Sequence, residues 1–319
     1  MQITPRTALL LSIAPLMWAG NAVVGRLAVQ SVPPLTLSAL RWSLALLLLL
    51  PLGWRVLRAP HELLARWPYF LLLGALGVGL YNALQYVALV SSTPINVTLI
   101  AASMPVWMLA VGALLYGVRP RRRQMAGAVL SLCGVAVVIA RGEPAALLAL
   151  RFVPGDLYIL VAIVGWSFYS WMLARPPAHM LGARAPMLQG APGEAPRAWN
   201  WAEALLVQVM FGMVFAGAAA ALEQLGGAKP VPWSGWVAAV LLFVAIGPSI
   251  VAYRCWGLGV ALAGPAAASF FGNLTPVFAA LLSAAVLGEP PRAFHAVAFA
   301  LIALGIVVSS ARRRPANER

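Results

Sequence analysis

Residues 94–120 read PINVTLIAASMPVWMLAVGALLYGVRP, and residues 265–291 read PAAASFFGNLTPVFAALLSAAVLGEPP. Each is an apolar run that begins with a proline, Pro94 or Pro265, and carries a second one eleven residues on, Pro105 or Pro276. At the same offset of 171 residues Gly117 pairs with Gly288, Pro120 with Pro291 and Gly134 with Gly305. Five Pro/Gly coincidences in one register mark an internal repeat. A proline within a membrane helix leaves a carbonyl of the preceding turn unpaired and bends the helix, which is tolerated where protein or a polar cavity supplies a partner. Pro94, Pro105, Pro265 and Pro276 are therefore expected to be structural or gating positions.

The composition around these runs points to lipid as the solvent. Of 319 residues, 62% are hydrophobic and 9% charged, too little polar surface for a dissolved domain. Apolar runs of about 20 residues recur from end to end, each long enough to cross roughly 30 Å of hydrocarbon as a helix. The strand-like alternation of a barrel is absent. Helices are predicted at 7–29, 35–54, 68–90, 94–117, 124–140, 156–174, 202–222, 235–258, 264–287 and 292–311. Arg6 before Ala8–Trp18 has the look of a signal peptide, but apolar character continues to Ala28, so this segment reads as a retained helix.

Earlier in each half, Trp18-Ala-Gly-Asn21 lines up with Trp166-Ser-Phe-Tyr169 at an offset of 148, which leaves 23 additional residues in the second half. The stretch Arg175–Trp199 accommodates them. Its prolines Pro176, Pro177, Pro186, Pro192 and Pro196 predict a mobile cytoplasmic loop. The chain thus divides into a first repeat, 1–142 with helices 1–5, a second repeat, 155–311 with helices 6–10 and the loop 175–199, and a basic tail, 312–319. Five helices is an odd number, so the second half enters the membrane opposite to the first. The expected fold is an all-α membrane protein of ten spans in two inverted repeats, a design that places a solute site near the midplane and supports alternating access. Channels of the aquaporin type share inverted repeats, so a pore or a scramblase stays open as an alternative.

A formal charge of +14 would suggest nucleic acid for a soluble chain; here its distribution over loops accounts for it, and no nucleic-acid partner is expected. With the N-terminus inside, inner segments carry fifteen basic residues and outer segments four, Arg141, Arg151, Lys229 and Arg292. That bias places both termini in the cytoplasm. Cys133 and Cys255 lack the partner spacing of a metal or redox site and read as packing residues.

Five features together resemble the drug/metabolite transporter superfamily, in the ten-helix EamA-type branch that contains YddG-like amino-acid exporters. They are Trp18-Ala-Gly-Asn21 in helix 1, Leu40-Arg41-Trp42 in helix 2, the two double-proline helices and Gly288-Glu289-Pro290 closing helix 9. The likeness covers nearly the whole chain and is specific for the family, weak for the substrate. It implies that helices 1, 3, 4, 6, 8 and 9 surround a central cavity, with 5 and 10 peripheral. The implied activity is secondary transport of small metabolites, amino acids first, across a bacterial inner membrane. No cofactor is expected, and a monomer is, since two fused halves already supply ten helices.

All eight acidic residues fall in loops or at helix ends. Small multidrug antiporters of the same superfamily use a helix-1 glutamate, whereas here the region reads Ser12 to Trp18 without one. An intramembrane acid is the usual mark of proton coupling, so a facilitator or an exporter driven by its substrate gradient is expected. Polar and aromatic residues cluster on the cavity helices at helical spacings: Trp18 with Asn21, Trp166 with Tyr169, Tyr81 with Gln85, Asn82 with Tyr86, Ser249 with Tyr253, Asn96 with Ser103, and Asn273 beside Thr275. Aromatics with a few amides and hydroxyls suit small amphipathic solutes such as amino acids. Interhelical glue and interface belts are the competing uses of the same residues. Arg41 lies inside helix 2, where it either snorkels to the interface or contacts a carboxylate substrate; Arg26 and Arg254 read as interfacial. Carriage of sugar phosphates or nucleotide sugars, which would favour several cavity cations, or of drugs is the alternative. An intramembrane enzyme would need a Gly-x-Ser-Gly or His-Glu-x-x-His motif or paired acids, and the sequence has none.

Overall fold

Proline sits in the first turn of many of the helices, where its missing N–H has no helical partner to lose. The computed structural model describes residues 3–28, 32–92, 94–143, 145–148, 151–177, 180, 199–287 and 292–310, with the backbone alone at 25–27, 86, 89–90, 94–96, 99 and 286–287. Helix α1 (Pro5–Ala28) and α2 (Pro34–Gly53) lead through a tight turn at Trp54–Arg58 to α3 (Pro60–Ala65). Helix α4 (Trp67–Gly74) passes through a π-helical segment, Ala75–Leu80, into α5 (Tyr81–Ser91). There follow α6 (Pro94–Ala101), α7 (Met104–Tyr116), α8 (Arg122–Ile139) and a single turn, α9 (Ala145–Leu148). The later part comprises α10 (Pro154–Ala174), α11 (Trp201–Leu225), α12 (Gly235–Val244), a second π segment at Ala245–Val251, α13 (Ala252–Ala263), α14 (Pro265–Gly272), α15 (Thr275–Leu287) and α16 (Ala293–Ser310).

Among the described residues there is no strand, and nine helical stretches are long and apolar enough to cross a membrane. The protein is a multi-pass membrane protein. Large apolar side chains such as Leu9, Leu114, Val129, Val214 and Val307 remain outward, as a lipid-facing surface requires.

The helix expected at 94–117 is divided. It does not bend around Pro105; it stops at Ala102–Ser103 and restarts at Met104, which places the proline in a first turn where no hydrogen bond is lost. Helix α7 alone, at 13 residues, is shorter than a span. The same interruption falls at Asn273–Leu274, before Pro276. The bounds of α14, α15 and α16 lie 171 residues beyond those of α6, α7 and α8 at both ends, and the two π segments overlap at that offset. Most of the proline-rich stretch 175–199 and all of the tail 312–319 lie outside the described residues.

Two pairings hold the molecule together across long sequence separations. Helices α8 and α16 pack through glycines: a Cβ on Gly127 would meet the Gly305 carbonyl oxygen at 2.6 Å, and one on Gly134 would meet that of Ala298 at 2.9 Å. The contacts run antiparallel. Helices α2 and α11 are also antiparallel, with Gly53 against Ala202 at one end. At the other, the Glu223 carboxylate accepts from the backbone N–H groups of Leu35 (3.0 Å) and Thr36 (2.7 Å) and from the Thr36 hydroxyl (2.8 Å). Pro33 at the N-cap of α2 offers no side-chain acceptor, so Glu223 supplies from another helix what a capping side chain would. Helix α11 caps itself in the usual way: Asn200 accepts from Ala202 and Glu203, and Glu203 reaches back to the Asn200 N–H.

Candidate functional site

Trp166 of α10 lies at the centre of an aromatic cage drawn from five helices. Trp18 of α1 meets it edge to face at 5.4 Å, Tyr81 of α5 packs at 5.4 Å, and its helix neighbour Tyr169 at 4.8 Å. From α13, Tyr253 and Trp256 approach at 5.7 and 5.9 Å. Trp256 also touches Trp18 at 5.4 Å, and Trp42 of α2 meets Tyr253 at 5.0 Å. The pairs Trp166/Tyr169 and Tyr253/Trp256 share a helix face because they are three residues apart. Tilted and edge-to-face contacts of this kind contribute about 0.5–1.5 kcal/mol each beyond the area they bury.

Some polar tips of the cage are anchored. The Tyr253 hydroxyl donates to the Gly77 carbonyl, within the π segment whose irregular ladder leaves carbonyls available. Tyr169 pairs with the Gln208 amide, whose nitrogen donates at 3.2 Å, and Trp256 Nε1 donates to the Ser170 hydroxyl at 3.1 Å. Gly77 admits the Tyr169 ring, since a Cβ there would stand 2.7 Å from its Cε2.

Other groups are buried without a partner among the described residues: Trp166 Nε1, Trp42 Nε1 and Arg41 Nε. Arg41 is 4% exposed, so the side chain stays inside the protein and does not snorkel. Among the described residues its one hydrogen bond runs from a terminal nitrogen to the Asn21 amide oxygen at 3.4 Å, and the guanidinium carbon lies 5.0 Å from the Trp42 ring centroid. Arg254 is exposed, 4.2 Å from the Trp201 ring, consistent with an interfacial position. The Arg26 side chain lies outside the description.

Of the residues singled out from sequence, the fold brings together Trp18, Tyr81, Trp166, Tyr169 and Tyr253, with Asn21 and Arg41 joined at one side. Others are engaged locally. Asn82 donates to the Val78 carbonyl at 3.5 Å, Ser249 to that of Val244 at 2.8 Å, and Ser103 to that of Ile100 while accepting from Trp107. Asn273, at the interruption between α14 and α15, donates to Ser131 of α8 at 2.8 Å. Gln85 is half-buried one turn beyond Tyr81, and the Asn96 side chain lies outside the description. Pro105 and Pro265 are buried at the starts of their helices, and Pro94 and Pro276 hold the equivalent positions.

Trp42, Trp256 and Gln208 belong to the cage or its supports and were not among the sequence candidates. Trp42 follows Arg41 in the motif, and Trp256 sits three residues after Tyr253; those spacings were the available signals. Gln208 has no such mark. The described carboxylates all sit at helix ends or in loops: Glu62 accepts from Trp199 Nε1 at 2.7 Å, Asp156 accepts from the Ser92 hydroxyl and the Val153 N–H, and Glu203 and Glu223 cap helices. Among the described residues no group of His, Cys, Asp or Glu could hold a metal ion. A groove of about 540 Å³ beside the start of α2, lined by Thr36, Leu40, Gln224 and Trp233 among others, includes none of the cage residues.

Apolar spanning helices around a buried aromatic and polar centre define a multi-pass membrane protein. The model of the EamA-like transporter family matches residues 5–140 and 193–311, and the chain belongs to that family. It is similar to the aromatic amino acid exporter YddG of Ancylobacter novellus, at 28% identity over 93% of this chain and 94% of that one. An uncharacterized transporter of Archaeoglobus fulgidus is 25% identical over 97% and 98% of the two chains. The uncharacterized inner membrane transporter YedA of Escherichia coli is 24% identical over 92% of this chain and 87% of its own length. A solved crystal structure, 24% identical, superposes with a TM-score of 0.72 over 95% of this chain and 96% of its own, which establishes the likeness of fold. The family and these relatives are transporters, not enzymes.

Proposed function

We propose that the chain is a secondary transporter of small metabolites, amino acids with aromatic and other neutral side chains foremost, working by alternating access in a bacterial inner membrane. The observation that carries this reading is the cage around Trp166, in which rings from α1, α2 and α5 meet rings from α10 and α13. Trp18, Tyr81, Trp166, Tyr169 and Tyr253 with Asn21 and Arg41 are its lining, Gln85 extends it, Asn82, Ser103, Ser249 and Asn273 hold the helix joints beside it, and Asn96 is assigned to the site from its sequence spacing alone. The name of the Ancylobacter relative supports the substrate class, and that of the Escherichia coli relative supports the inner membrane.

In this reading α6 and α7 together make the tenth span, both termini lie in the cytoplasm, and 1–142 and 155–311 are inverted repeats. The antiparallel packing of α8 against α16, whose bounds match at the repeat offset, supports inversion, because repeats of the same orientation would set those two helices parallel. The interruptions before Pro105 and Pro276 serve as joints at which half-helices tilt, with Pro94 and Pro265 fixing their other ends. The described acids stay away from the cage, so transport proceeds without proton exchange. One central arginine suits a carboxylate better than a phosphate ester, which argues against sugar-phosphate carriage.

Purified protein in liposomes, tested with a panel of labelled amino acids with and without an imposed pH gradient, tests this directly. The expected result is saturable movement of aromatic and other neutral amino acids at rates the pH gradient leaves unchanged. Movement of none of the panel would overturn the substrate assignment, and a strong pH-gradient dependence would overturn the uncoupled mechanism.

A further inference from the structure

The unpartnered polar atoms beside the cage have one chemical property in common. Arg41 Nε, Trp42 Nε1 and Trp166 Nε1 are all donors, each on a side chain at least nine-tenths buried. The acceptors nearby are already engaged: the Gly77 carbonyl by Tyr253, the Asn21 amide oxygen by Arg41, and the Ser170 hydroxyl by Trp256. Arg41 also carries a full positive charge whose one polar partner is a neutral amide at 3.4 Å. A buried charge left in that condition is costly, and a ligand that brings the opposite charge recovers the cost. The unpartnered atoms of Arg41, Trp42 and Trp166 therefore call for an acceptor, and the strongest demand, at Arg41, is for an anion.

On the reading of the cage as the substrate site, we propose that it recognises its solute through the carboxylate, held by Arg41 with the Asn21 amide alongside, and that the cage provides no ionic partner for an α-ammonium. The guanidinium's planar fork fits a carboxylate with two parallel donors. The contact chain from Arg41 over Trp42 to Tyr253 and on to Trp166 gives the aryl or alkyl part of the same solute an apolar seat. The occupant so defined is a small aromatic or aliphatic monocarboxylate, with or without an amino group. Amines and amides of the same size are excluded because they leave the guanidinium buried and uncompensated.

The test compares phenylalanine, 3-phenylpropanoate and phenylalanine amide as competitors of labelled phenylalanine, and as ligands read by tryptophan fluorescence, on the purified full chain. 3-Phenylpropanoate is expected to bind within a few-fold of phenylalanine, and the amide roughly tenfold or more weakly, the value of one charge-assisted pair. In Arg41→Gln that discrimination between acid and amide should vanish, and in Arg41→Lys it should be partly restored, a pattern that a purely structural arginine does not produce. Equal binding of all three by the native protein, or the same preference in Arg41→Gln, would overturn the carboxylate inference and leave the transport reading intact. If none of the three binds and none is moved, the reading of the cage as the substrate site falls with it.

Discussion

Gly77 shows how one atom can decide the geometry of the cage. A Cβ added there would stand 2.7 Å from Tyr169 Cε2, closer than packed atoms tolerate, and a tight 3.1 Å from Gln208 Nε2. Gly77→Ala is expected to push Tyr169 off Trp166, cost about 1–3 kcal/mol as overpacking does, and lower transport at equal reconstitution. Gly217→Ala, where the added carbon meets nothing within 4 Å, is the control: within helix α11 it should unfold at the native temperature or slightly above, and match the native protein in transport. At this scale the sequence was readable where helical spacing and the repeat agreed, as for Trp18/Asn21 and Trp166/Tyr169. It was silent on Gln208, because the partner that gives that residue a role, Tyr169, is 39 positions away on another helix. Arg41 was ambiguous for a different reason: a long cationic side chain reaches either way from one backbone position, and only the packing of Trp42 and Asn21 around it decides.

Helix ends and interruptions are where the elements communicate. Glu223 caps α2 from the last turn of α11 with three accepted hydrogen bonds, and Gln224 Nε2 adds one to the Thr36 hydroxyl at 2.8 Å. Glu223→Ala removes an N-terminal cap and is expected to cost about 1 kcal/mol, seen as a lower unfolding temperature in detergent, while Glu223→Gln, which retains an acceptor, should lose less. The apolar runs marked the elements well, since nine of the expected segments are stretches of spanning length. Their internal breaks were less legible. Pro105 and Pro276 signalled irregularity, but proline chemistry alone permits either a bend or a restart, and the chain restarts at Met104 and Thr275. The π segments at Ala75–Leu80 and Ala245–Val251 are marked only indirectly, by Gly77 and Gly79 in one and by Gly247 and Pro248 in the other, because an extra residue per turn changes the ladder and not the composition.

For the whole molecule, the antiparallel pairs α2/α11 and α8/α16 and the charge bias of the loops support the proposed topology of inverted halves with both ends in the cytoplasm. In a chain with Cys133 and Cys255 replaced by alanine, a cysteine at Lys229 should react with a membrane-impermeant maleimide from outside intact cells, and one at Arg319 only after permeabilisation. The reverse labelling would contradict that orientation. The central claim, that solute passes through the cage around Trp166 in a carrier cycle, is tested most directly by counterflow of labelled phenylalanine in proteoliposomes. The prediction is saturable uptake, accelerated by unlabelled phenylalanine inside, and lost in Trp166→Ala at equal reconstitution of folded protein. Uptake that does not saturate, is indifferent to internal phenylalanine, or persists unchanged in Trp166→Ala would contradict it.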